Sequence, residues 1–335
     1  MGLGNHIGFK MRADKTTHEM FQPMYGSIVL EMVSDSPAGE ILGETTKEYV
    51  FEACGEKLDM AQLQEIWEGK LEPVYPYRKA GPTVEKINGK LTAPAAPKIG
   101  VAKPKVIIPV FPGTNCECDT AKAFARAGAD PEILVIRNLT PADVAESCKA
   151  LVKAIDNSQI VMLPGGFSGG DEPDGSAKFI ASFFRNPEVT EAVRRLLQQR
   201  DGLMLGICNG FQALIKLGLV PYGDIRPITP YDPTLTFNTI GRHQSMLVRT
   251  RIASTGSPWL SKCEVGEQFT VAISHGEGRF VAPQEVLDTL MKNGQIATQY
   301  VAHRGAIPPW IRAITPTALL LAIEGITSPD GRVFG

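Results

Sequence analysis

The 335-residue sequence predicts an α/β protein. From residue 105 it describes a parallel sheet, mixed at its edge, with helices on both faces; a small α+β segment precedes it. Short apolar runs recur at Val106–Phe111, Ile133–Ile136, Ile160–Leu163 and Leu203–Ile207. Each has the length of a strand, and Leu203–Ile207 is of the kind a parallel strand shows when buried on both faces. Segments with helical start and stop signals separate them. Strands that alternate with helices lie side by side in one sheet, with the helices as covers.

The elements follow in order. In residues 1–78, Met24–Val33 reads as a strand and Asp59–Gly69 as a capped amphipathic helix with Leu63, Ile66 and Trp67 on one face. Residues 79–104 are rich in Pro, Ala, Gly and Lys, as in Ala93-Pro94-Ala95-Ala96-Pro97-Lys98. That composition makes a semi-extended linker rather than a packed element, and the domain boundary is expected there. In residues 105–335, Asp119–Ala127 is a helix closed by Gly128, and Thr140-Pro141 starts a helix to Ala154 with proline at its first position. After Thr229 strands dominate: Thr234–Thr239, Ser245–Ile252, Phe269–Ser274 and Ala318–Glu324. Ser328-Pro329-Asp330-Gly331 is a turn signal, so the last residues begin a hairpin whose second strand is cut short.

Composition narrows the function. With 34 basic against 36 acidic residues the net charge is −2, and no long basic run is present. Nucleic-acid or membrane binding therefore has no electrostatic support. No stretch has the length of a membrane span or the layout of a signal peptide, so a cytoplasmic location is expected. The six cysteines are scattered, which points to reduced thiols rather than a disulfide framework. Cys116-Glu117-Cys118-Asp119 lacks a matching Cys or His pair at zinc spacing and is placed in the turn after the first strand; no metal site is expected.

The chemistry is concentrated at Gly206-Ile207-Cys208-Asn209-Gly210. This is the G-x-S-x-G pattern of a strand turning sharply into a helix, with cysteine in the serine position. Such a bend pushes the thiol out of the sheet at a helix N-terminus, where partial positive charge favours thiolate. Phe211, Leu214 and Ile215 then fall at helical spacing, and Gly218 can close the helix. A second motif, His275-Gly276-Glu277-Gly278, follows the run Phe269–Ser274. Residues i and i+2 of an extended segment share a face, so a carboxylate is expected beside an imidazole. The third, Pro164-Gly165-Gly166-Phe167, is a glycine-rich turn after a strand whose N–H groups could form an oxyanion hole. It lacks the Lys-Ser/Thr of a phosphate-binding loop. Ligands in parallel sheets bind beyond the C-terminal strand edge, where both Gly165-Gly166 and Cys208 fall.

These three motifs resemble the triad-type glutaminase domain of class I glutamine amidotransferases. Phe111-Pro112-Gly113-Thr114-Asn115, Gly206–Gln212 and Ser274–Phe280 are similar, more narrowly, to the phosphoribosylformylglycinamidine synthase family in its large single-chain form. The resemblance covers most of residues 100–300. It implies a triad of Cys208, His275 and Glu277, an oxyanion hole near Gly166 and Asn209, and substrate contacts from Gln212 and Arg242. It implies glutamine as substrate and ammonia as product, with no cofactor for that step. ATP and Mg²⁺ would serve the synthetase portion, the implied partner, whose sites are not expected here. Residues 1–78 then resemble the tail of that portion, and the glutaminase domain is expected to be truncated at its C-terminus. Residues 302–317 depart from the family pattern, by a reading-frame error or by genuine divergence. Two other classes stay open: a cysteine hydrolase of another amide or peptide, and a non-catalytic scaffold.

Overall fold

The computed structural model describes residues 2–34, 39–74, 86–89, 100–169, 176–238, 241–301 and 321–335. The departure at 302–317, the first residues of the expected strand Ala318–Glu324 and most of the expected linker lie outside them. The chain divides into two compact units, Met1–Pro76 and Tyr77–Gly335.

The first unit holds a four-stranded sheet in the order Gly43–Thr46, Gly8–Met11, Val50–Ala53, Glu56–Asp59. Helix Met60–Gly69 follows, and the Asp59 side chain accepts from the N–H groups of Ala61 and Gln62. Its apolar face is not packed: Ile66 and Trp67 are 62% and 70% exposed. Met24–Val33 forms no strand. Its apolar, β-branched content is strand-like, but no neighbour among the described residues supplies the ladder hydrogen bonds a strand requires.

The second unit contains the expected parallel sheet. Its elements are β1 (Lys105–Val110), α1 (Glu117–Arg126), β2 (Asp130–Val135), α2 (Pro141–Asp156), β3 (Ile160–Leu163), α3 (Lys178–Phe184), α4 (Pro187–Arg194), β4 (Leu203–Gly206) and α5 (Asn209–Leu217). Then come β5 (Thr234–Thr236), β6 (Gln244–Ile252), β7 (Gln268–His275), β8 (Arg279–Val281), α6 (Gln284–Lys292), β9 (Ile296–Val301), β10 (Ile323–Ile326) and β11 (Val333–Phe334). The sheet order is β11-β4-β3-β1-β2, with every pairing parallel. Strand alternation sorts its side chains into two cores. Ile107, Val161, Leu163 and Met204 pack with Leu151 and Ile155 of α2 and with α3–α5. Val106, Ile108 and Met162 pack with Ala121 and Phe124 of α1 on the other face. Helices thus cover both faces.

The antiparallel strands expected at the sheet edge instead form a sheet of their own, β7-β6-β9-β10. β7 and β6 pair from Gln244↔His275 to Arg251↔Gln268, so β7 carries His275 at its end. The expected strand Thr234–Thr239 is shorter, with β5 ending at Thr236 and pairing with β8. The terminal turn does form a hairpin, through a Thr327↔Phe334 bridge. The outer edge of β11 then pairs with β4 in parallel, Val333↔Met204 and Phe334↔Leu205.

Part of the expected linker is packed. The Gly89 N–H donates to the Ala253 carbonyl (2.7 Å), and the Ile87 N–H to Gln299 Oε1 (3.0 Å). The cause is Arg251, only 5% exposed, whose guanidinium donates to Asn88 Oδ1 (2.6 Å) and to the Ile87 carbonyl. A buried cation is tolerated only with acceptors around it, and these residues supply them.

Candidate active site

Cys208 has φ 55° and ψ −110°, a region L-residues rarely adopt, between the end of β4 and the first turn of α5. Its neighbours explain why the conformation holds. A Cβ on Gly210 would lie 2.0 Å from the Leu163 carbonyl oxygen, and one on Gly206 2.7 Å from the Gly210 backbone. Only glycine lets α5 press this closely onto β3 and β4. The Ile207 N–H donates to Leu163 (3.1 Å), and the Gln212 N–H to the Cys208 carbonyl (3.0 Å), starting the helix. Cys208 is exposed, while Asn209 and Gln212 behind it are buried.

The glycine-rich turn after β3 is built against the turn after β1. Thr114 and Gly166 form a bridge, the Phe167 N–H donates to Gly113 (2.9 Å), and the Gly169 N–H donates to Pro112 (2.6 Å). Gly166 has φ 143°, and a Cβ there would meet Thr114 Cα at 2.8 Å. The turn therefore stands beside the elbow, and Gly165 faces Cys208.

A buried hydrogen-bond chain ties the three motifs together. The Ser168 N–H donates to Asn209 Oδ1 (3.3 Å), Asn209 Nδ2 to Gln212 Oε1 (3.0 Å), and Gln212 Nε2 to the Glu277 carbonyl (2.8 Å). Buried amides need such partners, so the chain fixes the glycine turn, the elbow helix and the His-Gly-Glu-Gly segment relative to one another. Asn209 and Gln212 thus hold the site together from beneath.

A cavity of about 270 Å³ opens among these elements, lined by Gly166, Cys208, Gln212, Arg242, His275 and Glu277, with Ser176, Phe237, His243 and Ser274. Six of the seven expected site residues line it; Asn209 lies buried below.

His275 and Glu277 line the same cavity but share no hydrogen bond. β7 ends at His275 and the chain bends at Gly276-Glu277, which breaks the two-residue alternation. The Glu277 carboxylate, 6% exposed, accepts from the Ser176 hydroxyl, and its other oxygen is buried without a partner. The ring partner of His275 is Asn238. Asn238 Nδ2 donates to the carbonyls of His275 (2.8 Å) and Arg242 (3.0 Å), leaving Oδ1 to face His275 Nδ1 at 3.0 Å. Nδ1 then carries the hydrogen, and Nε2 keeps a lone pair that is buried and has no hydrogen-bond partner, the Cys208 thiol included. Burial, with the nearby His243 second, pushes His275 down to about 4, so its ring is neutral near pH 7.

Asn238, Ser176 and His243 were not anticipated. His243 Nε2 meets Ser274 Oγ at 2.8 Å, and Ser274 Oγ meets Ser245 Oγ at 2.7 Å, a polar ladder at the cavity mouth. A half-buried imidazole needs a partner for its N–H, but nothing in the sequence nominates Asn238. Among the described residues no group of three or more His, Cys, Asp or Glu could hold a metal ion. No described helix is long and apolar enough to cross a membrane.

Residues 103–335 match the model of the CobB/CobQ-like glutamine amidotransferase domain. The chain is 33% identical to the phosphoribosylformylglycinamidine synthase subunit PurQ of Symbiobacterium thermophilum, covering 68% of this chain and 82% of that protein. It is 35% identical to the protein of the same name from Mycolicibacterium paratuberculosis, over 69% of this chain and 84% of the relative. A chain in a structure of PurLQS from Thermotoga maritima aligns over 70% of this chain and 85% of its own length, at 24% identity and a TM-score of 0.48.

Proposed function

The chain belongs to the CobB/CobQ-like glutamine amidotransferase domain family, and from that premise we propose that it releases ammonia from glutamine for phosphoribosylformylglycinamidine synthesis. The substrate assignment follows the relatives named for that synthase, alike over most of their own length. The observation that carries the chemistry is Cys208, held at φ 55° at the tip of the elbow, exposed to the cavity and at a helix N-terminus.

In the proposed reaction the Cys208 thiolate attacks the side-chain amide carbon of glutamine. Backbone N–H groups near Gly166 and Asn209 stabilise the tetrahedral oxyanion. Ammonia leaves with a proton from an acid, and water hydrolyses the thioester. Arg242, on the cavity wall, would meet the substrate's α-carboxylate. The step uses only side chains, backbone and water. ATP and Mg²⁺ belong to the amidine-forming step of the complete synthase, whose synthetase portion is the proposed partner and receives the ammonia.

Two readings of the proton carrier follow. In the first, His275 serves Cys208 through Nε2, whose free lone pair suits a base, and Glu277 completes the triad after a local rearrangement. In the second, His275 and Glu277 form the cavity wall and another base takes the thiol proton. The Asn238 and Ser176 pairings and the lack of a Cys208–His275 hydrogen bond favour this reading. Labelling with a glutamine-like chloroketone and assay of glutamine-dependent ammonia release test the function. Absence of both in the full chain with its synthetase partner would refute it. His275→Gln separates the readings: the first requires labelling to collapse, the second requires it to persist.

A further inference from the structure

Cys116 is a thiol the reaction does not use. It occupies the N-cap position of α1, as Cys208 does for α5. The strands feeding the two helices, β1 and β4, lie on either side of β3, and Gly165 follows β3. A Cβ built on Gly165 would stand 3.3 Å from Cys208 Cβ and 3.5 Å from Cys116 Sγ. The Cβ of Cys208 and the sulfur of Cys116 therefore border one and the same position, which has no side chain. The approach is fixed by the fold, because the Thr114–Gly166 bridge and the Asn115 N–H donated to Gly165 (3.4 Å) pin the Cys116 turn there.

We propose that Cys116 is a resolving thiol for Cys208, closing a disulfide across Gly165 when a peroxide oxidises the nucleophile. The inference rests on the reading of Cys208 as the reactive thiolate. In the first step Cys208 sulfur attacks one peroxide oxygen; an S–O bond forms, the O–O bond breaks, and the departing hydroxide takes a proton to become water. In the second step Cys116 sulfur attacks Cys208 sulfur; the S–S bond forms, the S–O bond breaks, and hydroxide leaves with the Cys116 proton as a second water. Two thiols and one hydrogen peroxide give one disulfide and two waters. The Cβ atoms must come within about 4.5 Å, a closure that glycine at 165 leaves open.

The partners differ in a way that suits these roles. Both are exposed, so peroxide can enter. Although the residue is exposed, partial burial of its sulfur, then the charges of Asp119 and Glu117, raise the Cys116 thiol, keeping it protonated while Cys208 reacts first. Resolution then speeds up as pH rises. Cys148 is buried, and Cys118 is the nearby exposed control.

The test treats the full chain with hydrogen peroxide, maps peptides without reduction, and measures chloroketone labelling of Cys208 before oxidation, after it, and after a dithiol. Wild type is expected to yield a Cys116–Cys208 linked peptide, to lose labelling, and to regain it with dithiol. Cys116→Ser should lose labelling without recovery, because Cys208 proceeds to sulfinic and sulfonic acids. Cys118→Ser should match wild type. Gly165→Ala keeps both thiols but fills the gap and should lower the yield of linked peptide, which guards against a folding defect in the serine variant. No linked peptide in wild type, or equal recovery in Cys116→Ser, would overturn the proposal. Failure of the nucleophile reading shows separately, as absent labelling of Cys208 before any peroxide is added.

Discussion

The side-chain amide of Gln212 donates to the backbone carbonyl of Glu277 across 2.8 Å, joining the elbow helix to a loop 65 residues away. Gln212 also accepts from Asn209, so one side chain serves two motifs. Gln212→Ala should therefore lower stability by about 2 kcal/mol through buried polar groups left unsatisfied. Urea denaturation should show a lower midpoint at constant slope, and chloroketone labelling of Cys208 should slow in the same variant.

Cys208 pays for its position in backbone strain. Cys208→Gly should abolish glutamine hydrolysis and raise stability by roughly 1 kcal/mol, since glycine adopts the φ 55° conformation freely. A variant that is inactive but less stable than wild type would show that the elbow is not strained.

Gly210→Ala tests the close approach of α5 to β3. The added methyl would lie 2.0 Å from the Leu163 carbonyl oxygen, a backbone atom that cannot swing away. A loss of more than about 2 kcal/mol is expected, with the thiol displaced and its labelling lost. Denaturation and labelling of one preparation read both effects.

His275 predicts acid lability. Its native value of about 4 lies below the ordinary histidine value of 6.5. Between those limits the unfolded chain binds a proton that the folded chain does not, so stability falls as pH drops from 6.5 towards 4 and is level above. The full effect is on the order of 3 kcal/mol. His275→Gln should flatten this part of the stability-versus-pH curve; an unchanged slope would assign the lability to other groups.

The parallel sheet and the elbow were legible because their signals are local in sequence. Apolar runs have strand length, and the glycines two residues either side of Cys208 mark the sharp bend, even though the atom that excludes a side chain at Gly210 is the Leu163 carbonyl of β3. Met24–Val33 misled because apolar, β-branched content states that a segment could be a strand, not whether a neighbour exists to pair with it. The partners of His275 and Glu277 were not legible from two-residue alternation, which stops where the chain bends at Gly276. Asn238 and Ser176 could not be read at all: they reach their partners across 37 and 101 residues. Nothing near them in the sequence marks that meeting.

The pairing of β11 with β4 sets an order of events during synthesis. Val333 meets Met204 only after well over a hundred intervening residues have been made and folded out of the way. Closing so long a loop is costly in chain entropy and slows formation of the contact. Until then the strand that delivers Cys208 presents an unpaired edge to its surroundings, the kind of edge on which other chains dock and aggregate. The strand leading to Cys208 is thus among the last parts of the sheet to be sealed, and a pause in translation before residue 333 would leave it open.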